Sequence, residues 1–193
     1  MKSAAITDLE EIRRRAREHV SQGAVTAHYH ADREKVLALL NEALATEIVC
    51  VLRYRRHYYM ASGLDSRSVA DEFLEHAVEE ARHADRIAER IVELDGEPNL
   101  SPAGLAERSS TDYATGTDLV DMIKENLIAE RIVIDSYTEI IRFLGNDDPT
   151  SRRMMEKILA EEEEHAEDLA SLLPEVRGKP APASQTKPLG KTG

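Results

Sequence analysis

Four glutamates interrupt apolar stripes at positions where leucine or isoleucine would otherwise sit. Glu47 is followed 33 residues later by Glu80-x-x-His83, and Glu130 is followed 32 residues later by Glu162-x-x-His165. Burying an ionised carboxylate costs several kcal/mol unless it is paired. Four such groups, with few inward Lys or Arg to neutralise them, would repel one another strongly. Divalent cations brought to the interior would resolve that conflict.

Residues three apart on a helix share a face, so Glu80 and His83 approach one point, as do Glu162 and His165. Four Glu and two His form the ligand set of a carboxylate-bridged dinuclear site inside a four-helix bundle. Two divalent ions bring four positive charges to four carboxylates and leave both histidines neutral, as ligands must be. The expected arrangement has Glu80 and Glu162 bridging, with Glu47 and Glu130 terminal. Mixed carboxylate and imidazole ligation with open positions suits redox iron or manganese better than a closed zinc site.

The helices are legible from periodicity and caps. A short amphipathic helix is predicted from Thr7, the start of a capping box with Glu10, to before Gly23. A long helix is predicted over 32–62, closed by Gly63. Its inward stripe is Val36, Leu40, Ala43, Glu47, Val51, Tyr54 and Tyr58. The next spans 66–95, with Val69, Phe73, His76, Glu80, His83, Ile87, Ile91 and Leu94 inward. The third spans 117–145, with Ile123, Leu127, Glu130, Ile134, Tyr137, Ile141 and Leu144 inward. The fourth starts with Asp148 as cap and Pro149 at its first position, carries Met155, Ile158, Glu162, His165, Leu169 and Leu172 inward, and ends at Pro174. The connector over 96–116 is long. Its ~20 residues reach ~66 Å when extended, enough to return the chain along a helix of ~42 Å. Within it, Ser101-Pro102 followed by AGLAERS reads as a short extra helix. The fold class is therefore all-α: a four-helix bundle with one long crossover, plus a short N-terminal helix and a short crossover helix. Residues 1–31 form an N-terminal extension, 32–173 the bundle, and 174–193 a disordered tail with four prolines.

The rest of the composition narrows the setting. A net charge of −12 argues against nucleic acid as a partner. One cysteine, Cys50, rules out an internal disulfide and suits a reducing cytoplasm. The first twenty residues lack a signal-type apolar core, and no stretch approaches a membrane span.

Around the six residues, Tyr54 and Tyr137 each lie seven positions after a glutamate of the set. Their hydroxyls are placed to hold a ligand carboxylate, or they simply fill the core. Asn126 is a candidate for orienting a ligand histidine. His76 reads as a satisfied core or interface histidine and Cys50 as a small buried apolar residue. Glu161, Glu163 and Glu164 read as solvated face or as the lining of an assembled cavity. His28 and His30 bracket Tyr29 in a loop, where the alternatives are an exposed accessory metal site and ordinary loop residues.

From Leu40 to Leu173 the chain resembles the bacterioferritins and related ferritin-like proteins. The resemblance is carried by LNEALATEIVCVLRY, HAVEEARHADRIAERIVELDGEPNL, ENLIAERI and MMEKILAEEEEHAEDL. It implies a ferroxidase that oxidises Fe(II) with O2 or H2O2 and stores iron inside a hollow homo-oligomer. Two Fe per subunit (or Mn) would be held by Glu47, Glu80, His83, Glu130, Glu162 and His165, with Tyr54 matching a tyrosine of the family's site. Haem-binding members carry Met directly after the Glu of the first E-x-x-H. Here that residue is Ala81, so haem is not expected. The family's 24-subunit cage uses a fifth helix, where this chain has a proline-rich tail. The amphipathic leader and crossover helix resemble Dps-like proteins, so a 12-subunit shell is favoured over the 24-mer. The competing reading is a non-storage di-iron or di-manganese peroxidase or oxygenase on the same bundle. A metal-free interaction bundle is the third.

Overall fold

The computed structural model describes residues 8–18, 20, 23, 25, 26, 29–61 and 66–177, with side chains through residue 173. Among the described residues six helices follow one another: α1 (Leu9–Glu18), α2 (Arg33–Met60), α3 (Arg67–Glu93), α4 (Leu105–Arg108), α5 (Leu119–Leu144) and α6 (Pro149–Arg177). No strand occurs among the described residues. The architecture is the all-α bundle with a long crossover. None of the described helices is long and apolar enough to cross a membrane.

Local chemistry sets the boundaries. Asp32 caps α2 by accepting from the Lys35 amide, and Asp118 caps α5 by accepting from the Asp121 amide. Each satisfies a donor that the first helical turn leaves open. At α6 the cap is Asp148, whose Oδ1 accepts from the Ser151 amide at 2.9 Å, with Pro149 following at the first helical position. α6 continues three residues beyond Pro174, to Arg177, instead of ending at that proline. Proline removes one hydrogen bond to the preceding turn, and near a helix end that loss does not stop the coil. Thr7, Gly63, His28 and residues 178–193 lie outside the described residues.

α2 packs on α3 and α5 on α6, while α2 faces α5 and α3 faces α6. The facing pairs run antiparallel. Tyr54 of α2 meets Glu130 of α5 while Tyr137 of α5 meets Glu47 of α2. His83 of α3 meets Glu161 of α6, while His165 of α6 meets Glu79 of α3. With α2 antiparallel to both α3 and α5, α3 and α5 must point the same way, and the connector has to climb the full bundle between them. It does so along α2. The Asn99 amide donates to Asn41 Oδ1 at 2.7 Å, the Ser110 amide to Thr46 Oγ1 at 2.9 Å, and Arg53 Nη1 to the Asp112 carbonyl at 3.3 Å. Arg56 completes the series by donating to the Thr115 carbonyl. Where the strap turns into α5, Gly116 has φ +61°, and a Cβ there would meet the Met122 backbone nitrogen at 2.9 Å. Only glycine fits that corner.

The apolar core has two parts. One gathers Val36, Leu40, Ile87, Ile91, Leu144, Met155 and Ile158. The other gathers Tyr54, Val69, Phe73, Met122, Ile123 and Leu169. Each fully buried aliphatic side chain contributes ~1.5–3 kcal/mol. The inward stripe of α3 is as its periodicity predicts. On α2 it drifts: Val51 and Tyr58 are only half-buried, and Cys50, Arg53 and His57 take the interior instead. On α5, Val133 and Ile140 are buried where Ile134 and Ile141 are half-buried, and on α6 Leu172 is half-buried. A straight helix repeats every 3.6 residues, so a stripe stepped in sevens slides sideways over four turns.

Candidate metal centre

Glu47, Glu80, His83, Glu130, Glu162 and His165 are all buried, none more than 2% exposed. All four long helices contribute: α2 gives Glu47, α3 gives Glu80 and His83, α5 gives Glu130, and α6 gives Glu162 and His165. They gather into two overlapping groups, each with its candidate ligand atoms within 4.8 Å of one another. The first is Glu47, Glu80, His83 and Glu162; the second is Glu80, Glu130, Glu162 and His165. Glu80 and Glu162 belong to both, the placement a bridging pair requires. His83 Nδ1 stands 2.8 Å from Glu162 and 3.4 Å from Glu80, and His165 Nδ1 stands 3.3 Å from Glu162 and 3.7 Å from Glu80.

Whether a cation fits can be judged from the atoms that lack hydrogen bonds. Eight buried atoms of these six residues have no such partner: Glu47 Oε2, both Glu80 oxygens, His83 Nδ1, Glu130 Oε2, both Glu162 oxygens and His165 Nδ1. A buried polar atom without a partner costs ~1–3 kcal/mol, and more when charged. Eight turned toward one another form a set of lone pairs suited to two cations.

The outer atoms are held in place. Tyr54 donates its hydroxyl proton to Glu130 Oε1, and Tyr137 donates to Glu47 Oε1. Each tyrosine thus grips the carboxylate of the opposite half rather than the glutamate seven residues before it. Both histidines turn Nε2 outward, His83 to Glu161 Oε2 at 2.6 Å and His165 to Glu79 Oε2 at 2.8 Å. A carboxylate at Nε2 calls for a proton there, which leaves Nδ1 as the ligand lone pair. Glu161 therefore orients an imidazole, in contrast to the solvated role expected of it.

Asn126 plays a different part from the one predicted. Its Oδ1 accepts from Arg53 Nε at 3.0 Å and lies 3.1 Å from His57 Nδ1. It sits one turn before Glu130, facing α2 rather than the ligand histidines. Arg53, fully buried, is one of the few inward cations. It also donates to Cys50 Sγ at 3.3 Å and to Thr111 Oγ1 at 3.4 Å. Cys50 is buried and unpaired as expected, yet has these polar neighbours.

Protonation follows from the crowding. Burial, together with Glu162 and Glu80, raises Glu47 well above the carboxylate range. Burial, with Glu80 and Glu162, does the same to Glu130. Burial opposes charge at the histidines, but the surrounding carboxylates prevail. His165 is pushed up to about 12, and His83 is also raised strongly. Against burial, these imidazolium neighbours hold Glu80 ionised. Without metal, then, protons do the neutralising.

A ferritin-like domain signature matches residues 37–178. The chain belongs to the ferritin-like family. Among its relatives, bacterioferritin from Mycobacterium bovis is 31% identical over 145 residues, covering 72% of this chain and 83% of that protein. Bacterioferritin from Desulfovibrio desulfuricans is 29% identical over 132 residues, covering 68% and 70%. Among solved structures, the dodecameric thioferritin of Bacteroides fragilis, described as bacterioferritin-related, superposes with a TM-score of 0.73 at 36% identity, over 77% of this chain and 89% of that one. Dps from Thermosynechococcus elongatus superposes at 0.70 with 20% identity, over 80% and 96%, which speaks to the ferritin-like fold alone.

Proposed function

We propose that this ferritin-like protein is a ferroxidase, oxidising Fe(II) at an intrasubunit dinuclear centre and storing the product within a homo-oligomeric shell. The observation that carries the reading is the set of eight unpartnered buried ligand atoms in two groups that share Glu80 and Glu162. In this reading Glu47 and His83 complete the ligands of one Fe(II), and Glu130 and His165 those of the other. Each Fe(II) gives up one electron. Two electrons and two protons convert O2 to H2O2, or H2O2 to two waters. The protein's contribution is position and charge. The carboxylates favour Fe(III) over Fe(II), since four negative charges stabilise the higher oxidation state. Tyr54 and Tyr137 fix the terminal carboxylates, and Glu161 and Glu79 fix the imidazoles. The bacterioferritin relatives and the dodecameric neighbour support iron storage in an assembly of twelve subunits. The lone unpaired Cys50 supports a cytoplasmic setting.

Native mass measurement before and after Fe(II) addition in air tests the storage half. The expected result is a shell of about twelve chains that gains hundreds of iron atoms, given an interior of ferritin type. A small particle holding only two metals per chain would reject storage and leave a peroxidase or oxygenase on the same bundle.

Proton release tests the centre independently of oxidation. Glu47, Glu130, His83 and His165 all hold protons more tightly than ordinary groups of their kind. A cation must displace them, so affinity rises with pH. Anaerobic loading with two M²⁺ at pH 7 is expected to release up to about four protons per chain. Titration in weakly buffered indicator solution measures this, and release of less than about one proton per metal would contradict the assigned ligand set.

A further inference from the structure

His76 lies next to the proposed dinuclear centre without belonging to it. Only 2% of it is exposed, and its ring is stacked on that of His165 with centroids 4.1 Å apart. His76 Nδ1 is 3.2 Å from the Tyr54 hydroxyl oxygen, whose single proton is already donated to Glu130. Tyr54 can therefore only accept from His76, which puts the imidazole proton on Nδ1 and leaves Nε2 with a bare lone pair. That lone pair points between two carboxylates, 3.4 Å from Glu72 Oε1 and 3.9 Å from Asp168 Oδ2. Neither distance is that of a normal hydrogen bond, and a neutral acceptor facing two anions is repelled by both.

We propose that Glu72, His76 and Asp168 form a third, mononuclear site for a first-row divalent cation, from which the cation passes to the buried centre. The three residues offer ligand atoms within 4.8 Å of one another. A first-row ion bonds to nitrogen or oxygen at ~2.0–2.2 Å, so adjacent ligands around it stand ~3–3.5 Å apart and opposite ones ~4 Å. The 3.4 and 3.9 Å separations of the two carboxylates from His76 Nε2 fall in that range. One imidazole and two carboxylates form a mixed nitrogen and oxygen set suited to Fe(II), Mn(II), Co(II) or Zn(II) rather than calcium. Glu72 and His76 are four apart on α3, and Asp168 reaches across from α6 in the antiparallel register that also pairs His83 with Glu161 and His165 with Glu79.

Position gives the site its role. The Glu72 and Asp168 side chains are 31% and 48% exposed, whereas the six residues of the centre are sealed. Water reaches the outer carboxylates, and His165 stands directly behind His76. Three protein ligands leave coordination positions for water, so a cation held here stays exchangeable. The hand-off rests on the dinuclear reading; the existence of the site does not.

Anaerobic Co(II) binding, counted by native mass spectrometry on the full chain, separates these statements. Unaltered protein is expected to bind three Co(II) per chain, and the double variant E72Q/D168N two. Both substitutions are at solvent-accessible positions and conserve shape, so the bundle stays folded. In air, at Fe(II) below saturation, the double variant is expected to oxidise iron about tenfold more slowly, because the acids that raise local cation concentration are gone. Its rate recovers at high Fe(II). Two Co(II) in both proteins would overturn the third site while leaving the dinuclear centre standing. One Co(II) in unaltered protein and none in the variant would support the site and refute the dinuclear reading. Three falling to two with no change in oxidation rate would overturn the hand-off.

Discussion

Glu80→Ala or Glu162→Ala is expected to abolish rapid Fe(II) oxidation while leaving the helices in place. Each of these carboxylates belongs to both candidate ligand groups, so one substitution would remove an oxygen ligand from each proposed metal position at once. Loss of a residue that merely supports a metal ligand costs about 10–100-fold in affinity or activity. Losing a shared ligand is expected to slow the fast phase by about two orders of magnitude or more. Stopped-flow absorbance of ferric product measures it. The helices should persist, because both oxygens of each side chain lack hydrogen-bond partners and an imidazole that loses a carboxylate neighbour can give up its extra proton and stay neutral. Circular dichroism of the metal-free variants should match that of the parent. Unchanged fast kinetics in both variants would sink the assignment of the centre.

The largest expected effect on stability comes from Asp148→Ala, far from the proposed metal ligands. Asp148 is 1% exposed, and its carboxylate accepts four kinds of bond. The Ser151 amide donates at 2.9 Å, Ser151 Oγ at 2.6 Å, Arg90 Nη2 at 3.1 Å and the Tyr29 hydroxyl at 2.9 Å. Alanine removes the α6 cap, worth ~1 kcal/mol. It also strips the buried partner from Arg90, which keeps only Ser151 and the more exposed Glu93. Breaking a buried pair on one side costs ~3–5 kcal/mol, and the Glu93 contact reduces that. The expected total is about 3 kcal/mol, or a fall in Tm of about 10 °C for a domain of this size. Thermal unfolding followed by circular dichroism checks it, and a Tm within about 2 °C of the parent would refute the account. The pH dependence has a definite sign. Although burial works the other way, Ser151, Tyr29 and Arg90 hold the folded Asp148 pKa below its ordinary value. Its contribution is complete above the unfolded value of ~3.9 and fades as pH falls through the lower folded value. The gap between parent and variant should therefore close only in strong acid.

Much of this molecule was legible in its sequence. The four long helices, their caps and the climbing connector follow from periodicity, Asp148-Pro149 and the spacing of glycines. The six central residues stood out because acids in an apolar stripe demand an explanation. The partners of those residues were harder to see. Glu79 and Glu161 immediately precede the shared glutamates, so both motifs actually read E-E-x-x-H. That extended repeat was a usable signal, hidden because a run of acids on a helix is ordinarily solvated. Which tyrosine holds which carboxylate depends on the antiparallel docking of α2 on α5, which no local pattern encodes. Arg53 left no trace in the periodicity either. It is inward only because α2 drifts off a seven-residue step, and its partners Asn126, Thr111 and Asp112 come from two distant segments.

The crossed tyrosines carry one last implication. Neither helical hairpin, α2 with α3 or α5 with α6, owns a complete set of supports, since each borrows a phenol from its sibling. Cut within the strap, the two fragments should be inert apart and regain cation binding only on mixing. Occupancy by metal would then serve as a gauge of whether the hairpins have met.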